Sequence, residues 1–204
     1  MLFDDNYRTI DAVSKGIYKE KNSKFISLAI PVMNETEVND QLKTVRKEFY
    51  DANHHCYACR LGFDKLIYRH SDDREPSGTA GRPIYGQIQS FDLTNVLVIV
   101  IRYFGGTKLG VSGLINAYRQ AAKEALQAAQ IIEKTINEIY TLEYDYDSVN
   151  DVMRIMKIFN VKQLEGSYSE RCQLKVILRR NDVLHFIEDI MKVKNLTSRY
   201  LQTQ

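Results

Sequence analysis

The chain has 204 residues, 44% of them hydrophobic, with 28 Lys/Arg against 26 Asp/Glu and a net charge of +2. That length fits one large domain or two small ones, and the near balance of charge excludes a strongly basic tail but not a local basic face. No apolar run approaches the roughly 18 residues of a membrane helix; the longest, Val96 to Ile101, is strand-sized. The opening Met-Leu-Phe-Asp-Asp-Asn has no basic segment leading into an apolar one, so no secretory signal is expected. Three cysteines make no disulfide framework, which points to reduced thiols in the cytoplasm.

In chain order, Lys15 to Met33 alternates apolar and polar residues around the turn-prone Lys21-Asn22-Ser23, which predicts a hairpin. Asn34-Glu35-Thr36-Glu37 opens a helix carrying Val38, Leu42, Val45 and Phe49, with Asn34 or Thr36 as its cap. Short strands follow at Cys56–Phe63 and Lys65–His70, then a short helix over Pro83–Phe91 with proline in its first turn. Asn95–Phe104 contains Val-Leu-Val-Ile-Val-Ile, apolar on both faces, and reads as a central strand. Ser112–Gln130 is an alanine-rich helix. Beyond it the pattern changes to strand 137–146, helix 149–159, hairpin strands 161–168 and 171–179, helix 182–193 and strand 197–201. This βαββαβ order predicts a ferredoxin-like unit. The fold class is therefore α+β, with domains over 1–132 and 136–204 and no Pro/Gly-rich linker between them.

The chemistry concentrates between Tyr68 and Arg119, where seven of the ten glycines lie between Gly78 and Gly113. From Arg69 to Arg119 there are six basic residues (69, 74, 82, 102, 108, 119) against four acidic ones (72, 73, 75, 92). Gly105-Gly106-Thr107-Lys108-Leu109-Gly110-Val111-Ser112-Gly113 joins a buried strand to a helix, where backbone N–H groups and the helix dipole attract anions. It is not a Walker A loop, because Lys108 lies inside it. Asp72, Asp73 and Glu75 suit a hard cation or an acid/base pair, but turn-capping and ion pairing with Arg74, Arg82 or Arg102 is the better reading. His54-His55-Cys56-Tyr57-Ala58-Cys59 invites zinc, yet a strand sends His54 and Cys56 one way and His55 and Cys59 the other. No spaced pair among His70, Cys172 and His185 completes a site. Ser112 falls one residue short of a Gly-x-Ser-x-Gly elbow, and nothing activates Ser77 beside His70. No catalytic residue, metal or cofactor is assigned.

Ser71-Asp72-Asp73-x-Glu75-Pro76-Ser77-Gly78-Thr79-Ala80-Gly81-x-Pro83 and Arg102-Tyr103-Phe104-Gly105-Gly106-x-Lys108-Leu109-Gly110-x-x-Gly113-Leu114 together resemble the bacterial YigZ proteins, relatives of eukaryotic IMPACT. Lys21 to Ile26 and His54-x-Cys56-Tyr57-Ala58 fit as well. Arg74 and Ser112 stand where glycine is usual, and Cys59 where an aromatic residue is common. The resemblance implies an IMPACT-like N-terminal domain similar to domain IV of elongation factor G and to ribosomal-protein domains. It implies a C-terminal domain similar to the ferredoxin-like domain V of that factor. It also implies a role near translation, since IMPACT binds the ribosome-associated activator of a starvation-responsive kinase.

The leading expectation is a non-catalytic cytoplasmic protein that binds RNA or ribosome-associated components. Phosphate would be met by Arg74, Arg82, Arg102, Lys108 and Arg119, bases by Tyr103, and anions by Gly105, Gly106, Thr107, Gly110, Ser112 and Gly113. The alternatives are a protein-interaction module, or an enzyme on a small phosphorylated or peptide substrate. The enzyme would need a pocket joining the Asp72–Glu75 loop to the Gly105–Gly113 loop, with a base in reach of a nucleophile or metal.

Overall fold

The computed structural model describes residues 5–204. The chain forms two compact units, one of Arg8–Glu133 and one of Lys134–Gln204 with Asp5, Asn6 and Tyr7. Strand β1 (Asn6–Ile10) pairs with β7 (Ile131–Thr135) in a two-stranded ribbon, through which the chain passes from one unit to the other. Neither strand was expected from the sequence.

The larger unit is a five-stranded antiparallel sheet made of β2 (Ser14–Glu20), β3 (Ser23–Pro31), β4 (His54–Leu61), β5 (Ile67–Ser71) and β6 (Val96–Tyr103), in the order β2-β3-β6-β4-β5. Lys21 and Asn22 turn the β2–β3 hairpin, both with positive φ (43° and 64°), the geometry that suits a two-residue connection between twisted strands. Helix α1 (Glu35–Glu48) is capped reciprocally: Asn34 accepts from the Glu37 N–H at 2.9 Å, and the Glu37 carboxylate accepts from the Met33 N–H at 2.8 Å.

Helix α1 covers one face of the sheet. Its Val38, Leu42 and Val45 pack on Ile26, Ile30, Cys59, Leu97, Ile99 and Ile101. Helices α2 (Gly81–Ser90) and α3 (Gly110–Ala128) cover the other, where Ile84, Ile88, Leu114, Tyr118 and a run of alanines meet Phe25, Cys56, Val96, Val98 and Val100. The continuous apolar run of β6 follows from this: successive residues alternate between two covered faces.

In the smaller unit, β8 (Asn137–Tyr144), α4 (Val149–Ile158), β9 (Lys162–Tyr168), β10 (Cys172–Arg179), α5 (Val183–Ile190) and β11 (Thr197–Thr203) follow the βαββαβ order. The strands form an antiparallel sheet in the order β11-β8-β10-β9. Both helices lie on one face, packing Val152, Ile155, Phe186 and Ile190 against Leu142, Tyr144, Leu174 and Val176. Strands β6 and β8 belong to different sheets. Among the described residues no helix is long and apolar enough to cross a membrane.

Candidate functional site

The acidic loop is first of all a structural clamp. Asp72 lies ahead of α2, a helix without a side-chain cap at Ala80. It supplies that function from eight residues away, accepting the N–H groups of Gly78 (2.8 Å), Ala80 (3.0 Å) and Gly81 (2.8 Å). Partial burial opposes ionisation of Asp72, but these N–H groups outweigh it and hold the carboxyl below its ordinary range. Asp73 accepts the backbone N–H of His55 at 2.6 Å. Asp73 and Arg74 both have positive φ (39° and 71°), so Arg74 occupies a left-handed position of the kind glycine fills without strain.

Glu75 turns inward. Its Oε1 accepts from Arg102 Nη1 at 2.6 Å and from the Tyr118 hydroxyl at 2.8 Å, with His54 Nε2 3.7 Å away. Strand alternation puts Arg102 on the α2/α3 face, in line with Val98 and Val100. Its side chain is 6% exposed and that of Glu75 5%. The guanidinium lies 5.4 Å from the ring centres of both Phe25 and Phe104 and donates through Nη2 to Ser23 Oγ at 3.3 Å, while Nε is buried without a partner. Tyr118 and Cys56 lie in the same cluster. Burial pushes both of their acid groups well above their ordinary values, so neither ionises readily.

The glycine loop is fixed at one end and open at the other. Gly105 donates to Ser23 Oγ at 3.2 Å, and a Cβ there would fall into the Asn22 carbonyl. Gly106 and Gly110 have φ of 83° and 73° and face open space. Helix α3 starts at Gly110 with no side-chain cap, and Thr107, Lys108 and Ser112 are exposed beside it.

The two motif loops meet around a cleft of about 360 Å³ in the larger unit. Glu75 and Arg102 form its buried polar end. Pro76, Phe104, Leu109, Val111 and Leu114 form its walls, and Lys108 and Gly110 complete the lining. Among the described residues no serine, threonine, cysteine or histidine lines it. Phe104 and Val111 are 45% and 61% exposed, so the apolar wall is accessible.

Of the residues expected to bind nucleic acid, the structure brings only Arg102 and Lys108 to this cleft. Arg102 pairs with Glu75, in line with the ion-pairing reading of the acidic loop, so its charge is matched. Tyr103 is half-buried on the α1 side, and its hydroxyl donates to Asp51 at 2.9 Å. Arg74 is exposed and donates to the Asn53 carbonyl at 3.1 Å. Arg82 and Arg119 are exposed on α2 and α3, away from the lining. Sequence reasoning missed Pro76, Leu109, Val111 and Leu114 as walls and Tyr118 as the second partner of Glu75. The signal that finds Glu75 is the arginine at the end of an apolar strand, which needs an acid.

The thiols Cys56, Cys59 and Cys172 are free and buried. Cys56 and Cys59 lie on opposite faces of the sheet, and Cys56 donates to the Asp72 carbonyl at 3.0 Å. Among the described residues no group of three or more His, Cys, Asp or Glu side chains is placed to hold a metal ion.

Fold and site define a mixed α/β protein of two units, with antiparallel sheets and a small-molecule-sized cleft between two glycine-rich loops. The Impact N-terminal domain model matches residues 21–126. IMPACT family member YvyE of Bacillus subtilis is 28% identical over 190 residues, covering 93% of this chain and 88% of the relative. IMPACT family member YigZ of Escherichia coli is 31% identical over 168 residues, covering 81% of this chain and 82% of the relative. A solved structure described as the crystal structure of a hypothetical protein is 27% identical with a TM-score of 0.72, covering 97% of this chain and 98% of its own. The chain belongs to the IMPACT family.

Proposed function

We propose that this protein is a non-catalytic cytoplasmic binding protein that engages RNA or ribosome-associated components and modulates translation. The observation that carries the reading is the opening of the cleft. Lys108 stands exposed there with no side-chain partner among the described residues, beside the uncapped start of α3. A free cation next to free backbone N–H groups suits a phosphate. The exposed Arg82 and Arg119 supply further charge, and Arg102 has a structural part instead, holding Glu75. The domain assignment belongs to the same reading: an IMPACT-like domain over 1–132, similar to domain IV of elongation factor G, and a ferredoxin-like domain over 136–204. The βαββαβ order and the sheet order of the smaller unit support the latter.

The test is co-sedimentation with ribosomes and crosslinking to RNA at low and high salt, comparing wild type with Lys108→Glu/Arg119→Glu. Wild type should bind at low salt and lose affinity steeply as salt rises, and the variant should bind weakly throughout. Equal binding by the two proteins, or none by either, would refute the reading. A second reading, a protein-interaction module, is favoured by the apolar cleft walls. It predicts binding to ribosome-associated protein that survives both ribonuclease and high salt. The enzyme alternative has its pocket, but Glu75 is held by Arg102 and Tyr118 rather than by a nucleophile.

A further inference from the structure

The cleft has two unlike ends. At its depth, both hydrogen bonds to the Glu75 carboxylate fall on Oε1, which leaves the acceptor capacity of Oε2. Beside it, Arg102 Nε is buried with no hydrogen-bond partner among the described residues, and the residue is only 5% exposed. An unsatisfied buried donor costs stability, and Arg102 itself lines the ligand-sized cleft, which points to something that completes it. The walls between are apolar, and one of them, Phe104, stays 45% exposed while Arg102 lies over its ring. At the mouth stand Lys108 and the first N–H groups of α3.

A flat, mostly apolar body with a donor and an acceptor on one edge and an anion at the other end fits this arrangement. That is the chemistry of an unpaired nucleotide, whose base can be splayed out, stacked on an aromatic ring and hydrogen-bonded at its edge. We infer that the cleft is a pocket for one nucleobase. The base packs against Phe104 and Val111, its edge meets Glu75 and Arg102, and its phosphate lies at Lys108 and the start of α3. Each base carries both donors and acceptors on its edge, so one acceptor with one donor distinguishes a base from no base more than one base from another. This inference rests on the RNA reading above and adds to it what the cleft takes.

The experiment uses the full chain and two probes of equal length and charge, a short oligouridylate and the same strand lacking its bases. Binding is followed by fluorescence anisotropy at low salt. Wild type should prefer the base-bearing strand by about 5- to 150-fold, the ratio that one stacked base confers. Val111→Trp fills the cleft from an exposed position without changing charge, and Phe104→Ala removes the stacking wall. Both should bring the preference close to one by weakening binding of the base-bearing strand, with circular dichroism confirming that each is folded. Equal wild-type affinity for the two strands overturns the base pocket and leaves RNA binding standing. Failure to bind either strand overturns both. A preference that survives in both variants places the base elsewhere and overturns the pocket.

Discussion

Removing half of the buried Glu75–Arg102 pair should cost far more than removing all of it. The side chains are 5% and 6% exposed and meet at 2.6 Å, with the Tyr118 hydroxyl on the same oxygen. In Arg102→Met the carboxylate keeps its Tyr118 hydrogen bond but loses its counter-charge, a change that costs about 3–5 kcal/mol for buried pairs. Loss of the guanidinium from between Phe25 and Phe104 moves the value toward the upper end. Adding Glu75→Gln removes the orphaned charge while the amide oxygen still accepts from Tyr118. The double variant should therefore recover about 2–3 kcal/mol, since neutral replacement of a buried pair is often nearly cost-free. Native-state hydrogen exchange of the β6 amides reports on this unit alone, and urea unfolding followed by circular dichroism provides a second measure. A cost below about 1 kcal/mol for Arg102→Met would refute the reasoning. So would a double variant equal to the sum of the two singles, because contacting residues must couple.

Three further outcomes are expected. Asp72→Ala should destabilise the protein by about 1–2 kcal/mol and speed exchange of the Gly78, Ala80 and Gly81 amides. Since the folded carboxyl titrates below its ordinary value, this contribution is fully present above about pH 4 and lost as pH falls through the lower folded value; the gap between wild type and variant should therefore close in acid, which unfolding measured across that range would show. The thiols of Cys56, Cys59 and Cys172 are all buried, so a thiol reagent should label them only as fast as the protein opens, and immediate labelling of any one in native protein would contradict the structure. Gly105→Ala drives a Cβ into the Asn22 backbone, whereas Gly106→Ala meets nothing and bears only a positive φ. Thermal unfolding should show the first to be destabilising by about 3 kcal/mol and the second by about 1–2 kcal/mol.

Most elements were legible because their signals are local. The Asn34 cap, the Lys21-Asn22 turn and the doubly apolar β6 each depend on neighbouring residues. Strands β1 and β7 were not, because each is five residues long and its partner lies across most of the chain. The site divides in the same way. The sequence marks the two loops, but whether a charge in them is free depends on contacts 27 residues apart for Arg102–Glu75 and 43 for Tyr118–Glu75. A stricter use of strand alternation places Arg102 on the same covered face as Val98 and Val100, where an unpaired guanidinium cannot stay. Tyr103, one residue on, then turns to the α1 side. Phe104, just beyond the end of β6, escapes that alternation and remains exposed.

The β1–β7 ribbon sets an order of events during synthesis. Strand β1 ends at Ile10 and β7 begins at Ile131, so about 120 residues must be made between them. At roughly 5–20 residues per second that takes about 6–24 s. Through that interval β1 lacks its ribbon partner, although its other edge meets Leu93 and Thr94 as soon as these are made. Asp5, whose carbonyl accepts from the Ile136 N–H and whose carboxylate pairs with Arg179, waits longer still. Strand β1 is thus paired on both edges only after the five-stranded sheet has been made, and a nascent chain stalled before residue 131 carries β1 without its ribbon partner.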